Sequence, residues 1–397
     1  MRTIGVIAEY NPFHSGHRHH IQRIRADFGP DCAVAAVMSG NWVQRGDAAI
    51  GNKWTRAALA LDGGADLILE LPTLWAAASA EPFARGSVAL LEAMGCVDAL
   101  SFGSETGELP PLQAAAACLD SVAWRAELRQ ALDRGLPFPA ARQHAAQVLI
   151  GDDAACFSTP NNNLGIEYLR ALEAAGSSIR PHTVLRLGAG HDRAGAESEP
   201  HLSGSVLRES LLREESAGLS PYLAPEAEAV LRRDPASLSF CTQGILARLR
   251  AMEAEDFARL PDSGEGLANK LRDAARQARS LDELYALVKS KRYTLARIRR
   301  LVLWAFLGLA ASDRPDAPPF LRVLGFTRRG QEVLRTMKET ASLPVITKPA
   351  HIRRLDSQAR RIFALEARCT GLYDLCRRNF GRVEAGNEYT AGPVCKH

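Results

Sequence analysis

Apolar residues in this chain follow two rhythms that take turns. Thr3–Ala8 (TIGVIA), residues 32–38 (CAVAAVM) and residues 66–71 (DLILEL) are short continuous apolar runs, as expected of strands buried on both faces of a sheet. Helical spacing separates them: Ile21 and Ile24 mark a first helix that Ser15 is expected to cap and that Gly29-Pro30 ends. Residues 54–61 and 83–93 read as further helices, 98–102 as a fourth strand and 182–187 as the last. Alternation of this kind predicts an α/β fold with a mostly parallel sheet and right-handed crossovers. The Ala-rich stretches 112–132 and 140–150 are expected as helices added to the sheet, and residues 161–174 as a helix behind an asparagine run.

Residues 218–225 and Arg233-Asp234-Pro235 read as a boundary. They divide a catalytic domain over 1–217 from a mainly helical domain over 218–397, loosened near 312–319. The most apolar run, 301–311, is too short for a bilayer and is expected as a core helix; Glu9 and Asn11 interrupt any signal-peptide pattern. With 397 residues, 46% of them hydrophobic, the chain can bury a sizeable core. Eight cysteines without a CxxC pair fit packed, reduced thiols in a cytoplasmic protein, and a net charge of +4 is compatible with nucleic acid without requiring it.

Chemistry concentrates where the first strand hands over to the first helix, at Asn11-Pro12-Phe13-His14-Ser15-Gly16-His17. A helix start offers unpaired N–H groups and partial positive charge, so an anion is stabilised there. Gly16 gives backbone access, and His14 and His17 add donors for the charge that builds around an α-phosphorus during nucleotidyl transfer. Two other readings stay open: ordinary polar residues at a helix start, or a metal site using His17 and His20.

Three further constellations join this one. Ser203, Ser205 and Arg208 at a helix start suit β- and γ-phosphoryl oxygens, or a serine cap beside a solvated arginine. Lys53 stands at a helix start, an unfavourable place for a cation, and is a candidate for balancing phosphate or carboxylate charge; Asn161 and Asn162 either cap a helix or meet a nucleotide. Lys289, Lys291, Arg292, Arg297, Arg299 and Arg300 crowd around Tyr293, as expected of an RNA-binding surface or of a solvated helix face. Arg322, Arg328 and Arg329 add to that positive excess.

Taken in order, residues 5–20 (GVIAEYNPFHSGHRHH), 38–50 (MSGNWVQRGDAAI), 53–56 (KWTR), 64–72 (GADLILELP), 102–105 (FGSE), 160–172, Arg186 and 291–300 (KRYTLARIRR) resemble the bacterial tRNA(Met) cytidine acetate ligases, relatives of the HxGH nucleotidyltransferases. The resemblance implies a Rossmann-like parallel sheet with helical insertions and a mainly helical C-terminal domain. It implies ATP as a substrate, with magnesium bridging its phosphates, and no tightly bound cofactor. Acetate would become acetyl adenylate, and its acetyl group would pass to the wobble cytidine of elongator tRNA(Met) as N4-acetylcytidine. The implied ATP site comprises Ile7, Ala8, Glu9, Tyr10, Asn11, Pro12, Phe13, His14, Ser15, Gly16, His17, Arg18, His19 and His20, then Gly103, Asn161 or Asn162, Arg186 and Leu187. Ser203-Gly204-Ser205 departs from a Ser-Ala-Thr pattern but keeps both hydroxyls. A metabolite adenylyltransferase of the same fold and a non-catalytic RNA-binding protein remain as alternatives, and the sequence does not specify an oligomeric state.

Overall fold

A computed structural model describes residues 1–186, 202–213, 219–264, 266–379 and 387–396. Its strands, in chain order, are β1 (Thr3–Ala8), β2 (Ala33–Ser39), β3 (Trp42–Val43), β4 (Asp47–Ala48), β5 (Leu67–Leu71), β6 (Ala99–Ser104), β7 (Arg180–Leu185), β8 (Leu321–Phe326), β9 (Val345–Ile346) and β10 (Val394–Cys395). Helices α1 (Ser15–Phe28) and α2 (Lys53–Asp62) follow β1 and β4. The main sheet has the order β10-β8-β5-β2-β1-β6-β7, with β9 beside β8, while β3 and β4 form a separate hairpin.

Strands β5, β2, β1, β6 and β7 run parallel, as the apolar runs predict. Residues of β2 are buried throughout and alternate between two cores. Ala33, Ala35 and Val37 pack with Leu67, Leu69 and Leu71, whereas Val34, Ala36 and Met38 join Ile4, Val6 and Ile68 on the other face. The chain steps from β1 to β2 to β5 in one direction, then crosses to β6 and β7 on the far side of β1. A crevice therefore opens beyond the carboxyl ends of β1 and β6, where such sheets bind ligands.

The region beyond residue 218 is mainly helical, as expected, and also adds β8, β9 and β10 to the sheet. Leu321–Phe326 (LRVLGF) pairs antiparallel with β5 and parallel with β9 and β10, and its antiparallel join to β5 needs no crossover helix and leaves no periodic signal of one. The apolar run at 301–311 falls in the helix Leu295–Leu307, which Gly308 ends at a left-handed φ of 64°. The expected boundary at 217/218 lies outside the described residues. Among the described residues no helix is long and apolar enough to cross a membrane.

Candidate active site

A cavity of about 290 Å³ occupies the crevice. Its floor is the end of β1 and the following turn, through Ile7, Ala8, Glu9, Tyr10 and Asn11, with His14, His17 and His20 above them. Phe102, Gly103, Asn161, Leu164, Tyr168 and Arg186 form one wall; Gln44, Arg45, Ser205 and Arg208 form the other.

The helix start differs from its sequence-based expectation. His14, not Ser15, is the N-cap: its Nδ1 accepts from the Gly16 N–H at 3.1 Å, and the His14 N–H donates to His17 Nδ1 at 3.2 Å. Ser15 N–H donates to the Tyr222 carbonyl, and the N–H groups of His17 and Arg18 both donate to the His14 carbonyl. The first four amides of α1 are thus already bonded within the protein, so the helix start is not a backbone anion nest. What the cap leaves for a ligand is side-chain chemistry. With Nδ1 of both rings accepting, neutral His14 and His17 carry their protons on Nε2. Burial, then the neighbouring His14, Arg186 and His20, hold His17 well below the usual imidazole range, which keeps it a neutral donor near pH 7.

His20 faces a chain of polar groups: its Nε2 lies 2.9 Å from Ser101 Oγ, which lies 3.0 Å from His182 Nδ1. His182 Nε2 in turn lies 3.4 Å from Asp27. Burial lowers His20 to about 3. This chain ties α1 to β6 and β7 behind the cavity.

On the wall that holds Gly103, a Cβ on that glycine would lie 3.0 Å from Arg186 Cγ, so glycine leaves room for that side chain along the strand end. The two asparagines have different places. Asn161 lines the cavity and donates from Nδ2 to Glu105 at 2.7 Å. Asn162 is buried, and its Oδ1 accepts from the N–H groups of Glu105 (2.8 Å) and Thr106 (3.3 Å). Glu105 answers by accepting from the N–H groups of Asn161 and Asn162, and these bonds outweigh its partial burial to lower its pKa. This reciprocal lock fastens the end of β6 to the helix Pro160–Ala174.

On the opposite wall, Ser203 caps the helix Gly204–Leu212 through the Val206 N–H, so its hydroxyl serves the fold. Ser205 Oγ accepts from Arg45 at 2.9 Å, and Arg208 donates to the Asn11 carbonyl at 2.7 Å. Gln44 N–H donates to Glu9 Oε1 at 2.7 Å. Buried Arg56 donates to the carbonyls of Glu9, Ser39, Gly40 and Gly51, binding the ends of β1 and β2 to the loop that follows.

Several expected residues stand elsewhere. Lys53 is fully buried and outside the cavity, with Nζ 2.7 Å from Glu70 and 2.5 Å from Glu388; its unfavourable helix-start position is balanced by carboxylates, not phosphate. Pro12, Phe13, Ser15, Gly16, Arg18 and His19 do not line the cavity, because they lie on other faces of the turn and helix. Phe13, Ser15 and Arg18 instead line a second hollow toward Tyr222. Leu187 lies outside the described residues.

In the basic segment Lys289, Lys291 and Arg292 are exposed. Tyr293 is buried beneath Lys270 and Arg297, so it offers no face for a base. Arg297 donates to the Asp262 carbonyl, Arg299 lies over Tyr285, and Arg300 reaches the Gln44 carbonyl at 3.4 Å. Arg322 leaves the surface patch altogether, being buried 3.9 Å from Glu388. Gln44 and Arg45 belong to the polar stretch 39–45 that follows the second strand, a strand-end position readable from the sequence, and both line the cavity.

A parallel sheet with paired histidines at the first strand-to-helix turn, below a cavity at the strand-order switch, defines a nucleotidyltransferase-like enzyme. The chain belongs to the HIGH Nucleotidyl Transferase family, whose sequence model matches residues 1–387. It is 36% identical over 391 residues to a tRNA(Met) cytidine acetate ligase of a Thermoanaerobacter species, covering 96% of both chains. Against the protein of the same name from Alkaliphilus metalliredigens it is 34% identical over 418 residues, covering 99% of this chain and 98% of the relative. The crystal structure of Thermotoga maritima TmcAL without ligand superposes with a TM-score of 0.91 at 30% identity, covering 100% and 99% of the two chains. A second crystal structure of that protein, bound to alpha-thio ATP, gives 0.90 at 29% identity.

Proposed function

We infer that this chain is an ATP-dependent ligase that activates acetate and acetylates the wobble cytidine of elongator tRNA(Met), forming N4-acetylcytidine. The observation that carries this is likeness over whole length: relatives named for that activity match both the cavity-forming region and the basic region beyond it.

The cavity supplies chemistry suited to the first step. An acetate oxygen attacks the α-phosphorus of ATP, an O–P bond forms, and the bond to pyrophosphate breaks. His14 and His17, neutral and protonated on Nε2, donate to the phosphoryl oxygens on which charge accumulates. Arg208, Arg45 and Ser205 stand on the wall where the leaving phosphates are received, and Asn161, Gly103 and Arg186 on the nucleoside wall. ATP enters as its magnesium complex, the ion held by phosphate oxygens and water.

In the second step the cytidine amine attacks the acyl carbon, loses a proton, and AMP departs. An anticodon base is already single-stranded and turns into a pocket at low cost. Lys289, Lys291, Arg292, Arg297, Arg299 and Arg300 are the proposed tRNA contacts. Arg300 touches the loop at Gln44, which brings that segment to the rim of the cavity. Such an enzyme works in the cytoplasm, where its tRNA is.

The test is incubation with ATP, labelled acetate and bulk tRNA, followed by nucleoside analysis. Label in N4-acetylcytidine of elongator tRNA(Met) is expected. Folded, ATP-binding protein that labels no RNA overturns the inference, and transfer of AMP to a phosphorylated metabolite would replace it with the adenylyltransferase alternative.

A further inference from the structure

Gln44 lies in the hairpin between β3 and β4, and its backbone is fixed on both sides. Its N–H donates to Glu9 Oε1 at 2.7 Å, and its carbonyl accepts from Arg300 at 3.4 Å. Next to it, Gly46 has a left-handed φ of 76°, and a Cβ there would lie 2.5 Å from the backbone of Arg299 and Arg300. The hairpin tip is therefore clamped between the end of β1 and the basic helix Leu295–Leu307, without help from the Gln44 side chain.

That side chain lines the cavity, and its Nε2 is buried with no hydrogen-bond partner. A buried amide donor without an acceptor is unfavourable until something supplies one. Arg45, Arg186 and Arg208 line the same cavity, and the Glu9 carboxylate there already accepts the Gln44 N–H. A buried donor in a cavity that also presents guanidinium groups, and whose reactants are anions, is suited to an anionic oxygen.

We propose that the Gln44 carboxamide is a substrate-binding group, donating from Nε2 to an anionic oxygen of the reactants, either a carboxylate oxygen of acetate or a phosphoryl oxygen of ATP. The role rests on the ligase function inferred above and adds a residue to it. Acetate and ATP are distinguished by which affinity depends on the donor. In the acetate case the same N–H meets the acyl oxygen of the adenylate and strengthens as that oxygen gains charge when the amine attacks.

The experiment uses the full chain with Gln44→Met, which keeps length and removes the donor, and Gln44→Glu, which places negative charge against the ligand. Acetate-dependent exchange of pyrophosphate into ATP gives KM for acetate and for ATP without tRNA. Calorimetry gives the ATP Kd without turnover, and thermal unfolding reports the fold. The expected result is one selective rise of about tenfold to a hundredfold in Gln44→Met, larger in Gln44→Glu, with unchanged unfolding temperature. A rise in the acetate KM alone assigns the oxygen to acetate; a rise in the ATP KM and Kd assigns it to phosphate. Unchanged values for both, or a change confined to the KM for tRNA, overturns the proposal. If the unaltered protein shows no exchange, the ligase function falls, and an ATP Kd that is the same in Gln44→Met then overturns the Gln44 role as well.

Discussion

Two polar clusters of this protein use the same kinds of residue for opposite ends. In the sealed cluster, Lys53 of α2 meets Glu70 of β5 and Glu388 near the carboxyl terminus, while Glu366 of the helix Ser357–Asp374 accepts from Thr73 N–H and Oγ at 2.7 Å each. Thr370 donates to Glu388 at 2.9 Å. These charges are satisfied inside the protein, apart from Nε and Nη1 of Arg322. They bind the late helices to strands laid down early in the chain. In the open cavity, by contrast, a donor remains after the fold has used what it needs: the amide of Gln44. The difference teaches that burial with partners turns polarity into architecture, whereas polarity left at strand carboxyl ends serves a ligand.

The largest expected effect is in the sealed cluster. Lys53→Met leaves Glu70 and Glu388 facing each other in the core and should lower unfolding free energy by about 3–5 kcal/mol, read from urea denaturation. A stable variant that has instead lost only ATP affinity would return Lys53 to the active site. In the open cavity the order of effects reverses: His17→Ala should cut the acetylation rate about 10²–10³-fold. Its stability should fall by only about 1 kcal/mol, because a helix-cap partner is lost. Equal loss of stability in the two variants would erase the distinction between the clusters.

Smaller effects sharpen the boundary between them. Asn162→Ala removes the acceptor for two part-buried N–H groups and should cost about 1–3 kcal/mol of stability. Asn161→Ala should act mainly on the KM for ATP, and the reverse pattern would exchange their roles. The last effect is a slope. Burial, then Glu70, pushes Glu366 up to about 8 from the usual 4.5, so the folded protein keeps a proton that the unfolded chain releases. Stability from this group is complete below the unfolded value and falls as pH rises toward 8, by at most about 1.4 kcal/mol per pH unit. Glu366→Gln, neutral throughout, should flatten that slope in urea midpoints measured across the window. An unchanged slope would mean that Glu366 is ionised in the folded protein.

The strand-to-helix turn and the parallel sheet were legible because continuous apolar runs and a glycine-histidine motif are local signals. Lys53 was misleading for a physical reason: its helix-start position is locally unfavourable, and the carboxylates that balance it come from Glu70 and Glu388, segments brought together only by folding. Strand β8 escaped detection because a strand joined antiparallel to β5, standing among helices, carries no crossover pattern. The histidine cap was hidden behind Ser15, a commoner capping residue one position away. Gln44 and Arg45 sit on a two-strand hairpin whose placement depends on Glu9 and on the basic helix, contacts that sequence spacing does not encode.

The most direct measurement uses acetate carrying ¹⁸O in both oxygens, with ATP and elongator tRNA(Met), and reads the isotope in AMP by mass spectrometry. If acetate attacks the α-phosphorus in the histidine-lined cavity and the amine then attacks the acyl carbon, each AMP released with an acetylated cytidine carries one oxygen from acetate. Acetylated tRNA accompanied by AMP without ¹⁸O would contradict that sequence of bonds.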